Sequence, residues 1–291
     1  MIQLGDVEIR RIEELMVLEP TATFAGWQRH VAAEQPWLVP NYYDAAADAF
    51  VTSIATWLVK TPEHTIIIDT GSGNHKDRPL SPRFNQLDTP YLARLKAAGV
   101  EPKDVDLVLL THLHVDHVGW NTLRSGERWV PTFPNATYVM SRIEREWRDP
   151  ARTTATRPAA ADLPFLDSVL PVIEAGQAKL VEGNETVADG IDLMPTPGHA
   201  PGQMAVRIRS RGQEALFIAD VMHQPIQIYY PDWNSKYCED QTLAPVTRRR
   251  VLDYCADTGC LMLPAHFGAP FCGRVVRKGD GFAFVPSAQM P

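Results

Sequence analysis

Cysteine is scarce in this chain, and the four present, Cys238, Cys255, Cys260 and Cys272, contain no Cys-x-x-Cys pair. That spacing excludes a zinc ribbon and shows no disulfide framework. It reads as reduced thiols in or near the core of a cytoplasmic protein, with Cys238 in a loop close to a functional site. Long apolar runs are missing too. No stretch reaches the ~18 apolar residues a membrane span requires, and residues 1–8 lack the basic-then-apolar pattern of a secretory leader. A soluble protein with no membrane partner is therefore expected. Basic charge is also short, with 28 Lys and Arg against 35 Asp and Glu, a formal net charge of −7. This balance argues against nucleic acid as a partner. The one basic run, Arg248-Arg249-Arg250, falls at the start of an expected helix and reads as a solvated face. No repeat or low-complexity tract stands out. Residues 151–161 come nearest to a flexible loop.

Histidine is scarce as well, with nine in 291 residues. Three of them nevertheless fall in His112-Leu-His114-Val-Asp116-His117. This hexapeptide directly follows the apolar run Leu107-Val-Leu-Leu110-Thr111, which places it at the end of a buried strand. Neutral imidazole and carboxylate oxygen are the ligands that borderline divalent ions such as zinc prefer. In extended backbone, residues 112 and 114 share one face, and residue 117 lies beyond a turn. One short loop can thus offer ligands to two adjacent ions.

The hydrophobic pattern predicts strands within 7–18 and a hairpin from Phe50 to Asp69 around Thr61-Pro62-Glu63. Thr89-Pro90 opens a helix with Tyr91, Leu92, Leu95 and Ala98 on one face, and Gly99 ends it. Strands are expected over 106–111, 136–140, 178–181, 186–194, 203–209, 214–219, 260–264 and 274–285. Helices are expected over 141–148, with Ser141 and Glu144 as a capping box, and over 162–175 and 246–257. Strands clustered together with helices outside suggest α/β layers of αββα type. With no linker-like stretch between the motifs, one domain over 1–291 is expected, with aromatic loop insertions near 20–50 and 222–240.

As a set, the motifs are similar to those of the metallo-β-lactamase superfamily. The His-x-His-x-Asp-His segment is one. The others are Ile66-Ile-Ile-Asp69-Thr70-Gly71, Thr196-Pro197-Gly198-His199, Leu216-Phe-Ile-Ala219-Asp220 and Leu261-Met-Leu-Pro264-Ala265-His266. They occur in the expected order. The resemblance implies the four-layer αββα metallo-β-lactamase sandwich. It also implies that His112, His114 and His199 hold one metal ion, that Asp116, His117 and His266 hold a second, and that Asp220 bridges the two. Zinc comes first among the ions this donor set takes, with manganese, cobalt and iron as alternatives. Such a pair generates hydroxide near neutral pH and polarises a carbonyl or phosphoryl oxygen, so Asp116 and Asp220 would be catalytic as well as ligating. Asp69 would orient a ligand or its loop rather than bind metal.

A bridging Asp at 220 is generally missing from the β-lactamases of the superfamily, which points to its dinuclear hydrolases. Acyl-homoserine lactonases place a Tyr where this chain has His223. A His there could still donate a hydrogen bond or proton to substrate, and the Asp-x-x-His spacing looks more like the methyl parathion hydrolase branch. Trp120, close behind His117, is the expected pocket residue, and His223 the expected catalytic and substrate contact. The aromatic segments 24–50 and 225–237 could wall an apolar pocket, cover a sheet, or form a homodimer contact. The expected function is hydrolysis of a small ester or lactone. An organophosphate triesterase is the alternative, ahead of a β-lactamase or an iron-dependent redox enzyme. His30, His64 and His75 have no motif context.

Overall fold

The computed structural model describes residues 1–287, so the last four residues of the expected domain lie outside it. The chain forms two compact units, each threaded from separate segments. One comprises residues 6–15 and 54–183, and the other, among the described residues, 1–5, 16–53 and 184–287.

The first unit is built on a mixed sheet. Strand Ala49–Lys60 pairs antiparallel with Thr65–Ile68, which continues in parallel to Leu107–Leu109, Thr137–Ser141 and Ala178–Val181. Ile66, Ile67 and Ile68 are fully buried, as continuous apolar strands are when both faces are covered. Helix Tyr91–Ala97 buries Tyr91 and Leu95, four residues apart on one face. It ends at Gly99, whose positive φ suits a helix terminus. The expected helix over 162–175 is two helices, Leu163–Ser168 and Leu170–Glu174, because Pro171 fits only the first turn of a new helix. A hairpin, Thr122–Ser125 with Arg128–Pro131, was not legible in the hydrophobic pattern.

Within this unit Lys76 is completely buried. It donates to Thr122 Oγ1 (2.9 Å), lies 3.5 Å from Asp167 and sits over the Trp129 ring. Arg78 grips the same Asp167 with two hydrogen bonds of 2.6 and 2.7 Å. Burial outweighs the attraction of Asp167 and pushes Lys76 down to about 7. An unfolded lysine holds its proton to ~10.4. Between those values the unfolded chain binds the extra proton, so folding stability rises with pH through that window. Lys76→Met is expected to remove a slope approaching ~1.4 kcal/mol per pH unit. Urea unfolding of both proteins at about pH 7.5 and 9 measures it; parallel trends for the two would show that Lys76 is charged in the fold.

The second unit carries a seven-stranded sheet. Its order is Glu185–Ala188, Ile191–Pro195, Met204–Ser210, Gln213–Ala219, Leu261–Pro264, Gly273–Lys278 and Gly281–Pro286. Only Gln213–Ala219 and Leu261–Pro264 pair in parallel, and helix Leu243–Thr258 is the crossover that parallel pairing requires. Two expected single strands are hairpins. The 186–194 strand turns at Asp189-Gly190, and the 274–285 strand turns at Gly279-Asp280. Arg248, expected on a solvated helix face, is buried. It donates to the Val221 carbonyl (2.9 Å), the Pro231 carbonyl (2.5 Å) and Asn234 (3.2 Å), tying together two loops.

The aromatic segments pack against each other in this unit. Phe24 meets Phe50 edge to face, Trp27 touches Tyr43 and Phe50, and Trp37 lies against Tyr229. Phe24, Tyr42, Tyr43 and Phe50 belong to the core, with Trp27, Trp37, Tyr229, Tyr230 and Trp233 partly buried around them. Among the described residues no helix is long and apolar enough to cross a membrane.

Candidate metal centre

In the first unit the strand ends deliver a connected set of polar groups. Asp69, at the end of Thr65–Ile68, has a φ of 54°. Its two oxygens accept from the Thr111 N–H (2.8 Å), the Thr111 hydroxyl (2.8 Å) and His117 Nδ1 (2.8 Å). A carboxylate only accepts, so the His117 proton must sit on Nδ1, and Nε2 presents a lone pair. The Thr111 hydroxyl spends its proton on Asp69 and therefore accepts from His112 Nδ1 (3.1 Å). His112 is thereby set in the same tautomer. One aspartate thus aims two imidazole lone pairs, the arrangement by which outer carboxylates orient metal-binding histidines. The rings of His112 and His114 lie 4.5 Å apart, and those of His112 and His117 4.1 Å apart. His117 Nε2 is 3.9 Å from Asp116. His112 and His117 are buried, while His114 and Asp116 are half-buried.

The loop is fixed from two sides. The Thr70 N–H reaches the His117 carbonyl, and the Gly119 N–H reaches Gly71 (2.8 and 2.7 Å). A side chain at Gly119 would meet Ser72 backbone at 1.9 Å, so only glycine fits there. Glu144 does not cap its helix as expected; it is fully buried and accepts the Leu113 N–H (3.1 Å) between two candidate ligands. Trp120 was expected to face a pocket. It is 5% exposed, stacked on Tyr91 at 5.1 Å, and donates to buried Glu14 at 2.7 Å. Glu14 also accepts the Ser72 and Gly73 N–H groups, although burial still pushes its carboxyl above the usual range. Trp120 therefore props a loop through Glu14 and Tyr91.

In the second unit three imidazoles converge on one carboxylate oxygen. His266 Nε2 (3.1 Å), His223 Nε2 (3.2 Å) and His199 Nε2 (3.4 Å) all approach Asp220 Oδ2. His266 Nδ1 lies 2.9 Å from the Ser53 carbonyl, which cannot donate. His266 therefore turns a lone pair toward an anion. For a neutral His266 that contact is repulsive, which a proton or a metal ion between them relieves, and the convergence of three imidazoles on one carboxylate oxygen fits a metal ion. His199, Asp220 and His223 form a triad whose ligand atoms lie within 4.8 Å of one another. His199 Nδ1 faces Cys238 Sγ at 3.8 Å, and the Glu239 N–H holds the His199 carbonyl at 3.0 Å. Burial pushes the Cys238 thiol up to about 11, so it stays protonated. Burial likewise lowers His223 below the ordinary imidazole value despite Asp220 beside it. Sequence reasoning placed Cys238 near the site, but it missed Ser53 and Glu144. These act through a backbone carbonyl and a helix side chain that no motif flags.

Residues 49–257 match the family model for the metallo-beta-lactamase superfamily, most of the chain, and the protein belongs to that superfamily. Its fold is the one expected from the motifs. Among individual relatives, it is 27% identical over 166 residues to an N-acyl homoserine lactonase from Bacillus sp, covering 53% of this chain and 57% of the relative. The chain thus spans little more than half the length of the curated relatives it matches. Two solved structures align over nearly all of it. The dizinc quorum-quenching lactonase AidC, in complex with a product, has a TM-score of 0.82 at 25% identity, covering 100% of this chain and 97% of AidC. The hydrolase AbOPH in the beta lactamase superfamily has a TM-score of 0.83 at 25% identity, covering 98% of this chain and 96% of AbOPH.

Proposed function

We propose that this protein is a dinuclear metal hydrolase that opens small lactones, N-acyl homoserine lactones first among them. The observation that carries the metal reading is the lone pair of His266 aimed at Asp220 while its proton is held by Ser53. The lactone reading is supported by the N-acyl homoserine lactonase relatives and by the likeness to AidC. In this reading His112, His114 and His199 hold one zinc ion. Asp116, His117 and His266 hold the other, and Asp220 serves both. When bound, such a pair activates water and polarises the ester carbonyl.

The chain's own residues supply the rest. Asp69 and Thr111 keep His112 and His117 in the ligating tautomer, and the Ser53 carbonyl does the same for His266. Buried surroundings on both sides keep these polar contacts strong. The net charge of −7 favours a small neutral substrate over nucleic acid. Four free, buried cysteines support a reducing, cytoplasmic setting.

The test is proton release by the zinc-loaded protein against a panel of N-acyl homoserine lactones and a matched panel of phosphotriesters. Turnover of lactones is expected to exceed that of phosphotriesters by a factor of ten or more. Turnover confined to phosphotriesters would move the assignment to organophosphate hydrolysis.

A further inference from the structure

We propose that His223 is a positioning residue that holds Asp220, rather than a contact of the substrate; this rests on the reading of Asp220 as a metal-binding carboxylate. Asp220 Oδ2 has three imidazole nitrogens within 3.4 Å. A neutral imidazole donates from only one of its two nitrogens. His266 has committed its proton to the Ser53 carbonyl. His199 has Cys238 Sγ at its Nδ1.

His223 differs from both. Its Nδ1 is buried and finds no hydrogen-bond partner among the described residues. A proton there would be an unsatisfied buried donor, costing ~1–3 kcal/mol. The same proton on Nε2 meets Asp220 at 3.2 Å. His223 therefore donates to Asp220 through Nε2, and its Nδ1 is too enclosed to reach a substrate.

The surroundings fix it in that pose. The ring stacks on His266 at 5.6 Å and 17°, and lies 4.8 Å from the His199 ring. Its backbone N–H donates to Gln227 Oε1 at 2.7 Å, and Gln227 in turn donates to the Trp233 carbonyl at 2.8 Å. Arg248 holds the Val221 carbonyl, one residue from Asp220. His223 thus aims the carboxylate while leaving the His266 lone pair for the ion.

The experiment is zinc titration of wild type, His223→Phe and His223→Gln in competition with a chromophoric chelator, followed by lactone kinetics at limiting and saturating zinc. Thermal melts of all three check folding. His223→Phe is expected to weaken binding of at least one ion by ~10–100-fold, to lose turnover at limiting zinc and to regain most of it at saturation, with KM unchanged. His223→Gln keeps an N–H donor and is expected to restore most of the affinity. Wild-type zinc affinity in His223→Phe with a raised KM would make His223 a substrate contact. Equal loss of an ion in both variants would make it a ligand. Either result overturns the proposal. The titration reports on His223 even if no lactone is turned over, whereas wild type that binds no zinc removes the metal reading itself.

Discussion

Asp220→Ala is expected to retain at most one tightly bound ion and to hydrolyse lactone at least ~10³-fold more slowly than wild type. The carboxylate has three imidazole nitrogens 3.1–3.4 Å from one of its oxygens. Its removal leaves those nitrogens facing one another with nothing to bridge two cations. Metal-ion stabilisation contributes several kcal/mol to hydrolysis of this kind, and ~4 kcal/mol corresponds to the stated factor. Elemental analysis of the purified variant together with initial rates measures both effects. Two retained ions with unchanged turnover would show that Asp220 does not serve the metals. The second unit has an ample core around helix Leu243–Thr258, so the fold is expected to survive the change, which a melting curve checks.

Asp69→Ala is expected to be nearly as damaging, although Asp69 binds no metal in this account. It accepts three hydrogen bonds and sets the tautomers of His112 and His117 together. Losing such an outer partner typically lowers metal affinity ~10–100-fold. Two buried donors, the Thr111 N–H and His117 Nδ1, are also left without an acceptor, at ~1–3 kcal/mol each. Asp69→Asn separates the possible roles. Asparagine tolerates the left-handed backbone at φ 54°, so it keeps the turn, but it offers one acceptor oxygen in place of two. Zinc competition should show Asp69→Asn weakened as well. Wild-type affinity in Asp69→Asn would mean that the residue only shapes the turn.

The candidate ligands were legible because their chemistry is local. His112 through His117 stand in one hexapeptide, and Asp220 and His266 each follow an apolar strand that ends where a ligand is needed. Asp69, expected to orient a ligand, accepts hydrogen bonds from Thr111 and His117. Side-chain direction was the hard part. Trp120 sits close behind His117 in sequence, but the chain turns its indole inward onto Tyr91 and Glu14. Arg248 looked like a solvated helix residue because periodicity does not register loops that fold back over a helix. Glu144 had the spacing of a capping box, yet the Leu113 N–H offers a buried carboxylate a stronger claim than a helix end does. The Asp189-Gly190 and Gly279-Asp280 turns carried a readable hairpin signal, which continuous β-branched and apolar residues on both sides obscured. The aromatic segments could not be assigned from sequence, because packing and pocket-lining draw on the same residues.

The most direct test of a dinuclear centre is a count of metal bound per chain. Wild-type protein would be loaded with excess zinc, exchanged into metal-free buffer and analysed by inductively coupled plasma spectrometry. Two ions per chain are expected. One ion or none would contradict a dinuclear centre built on Asp220.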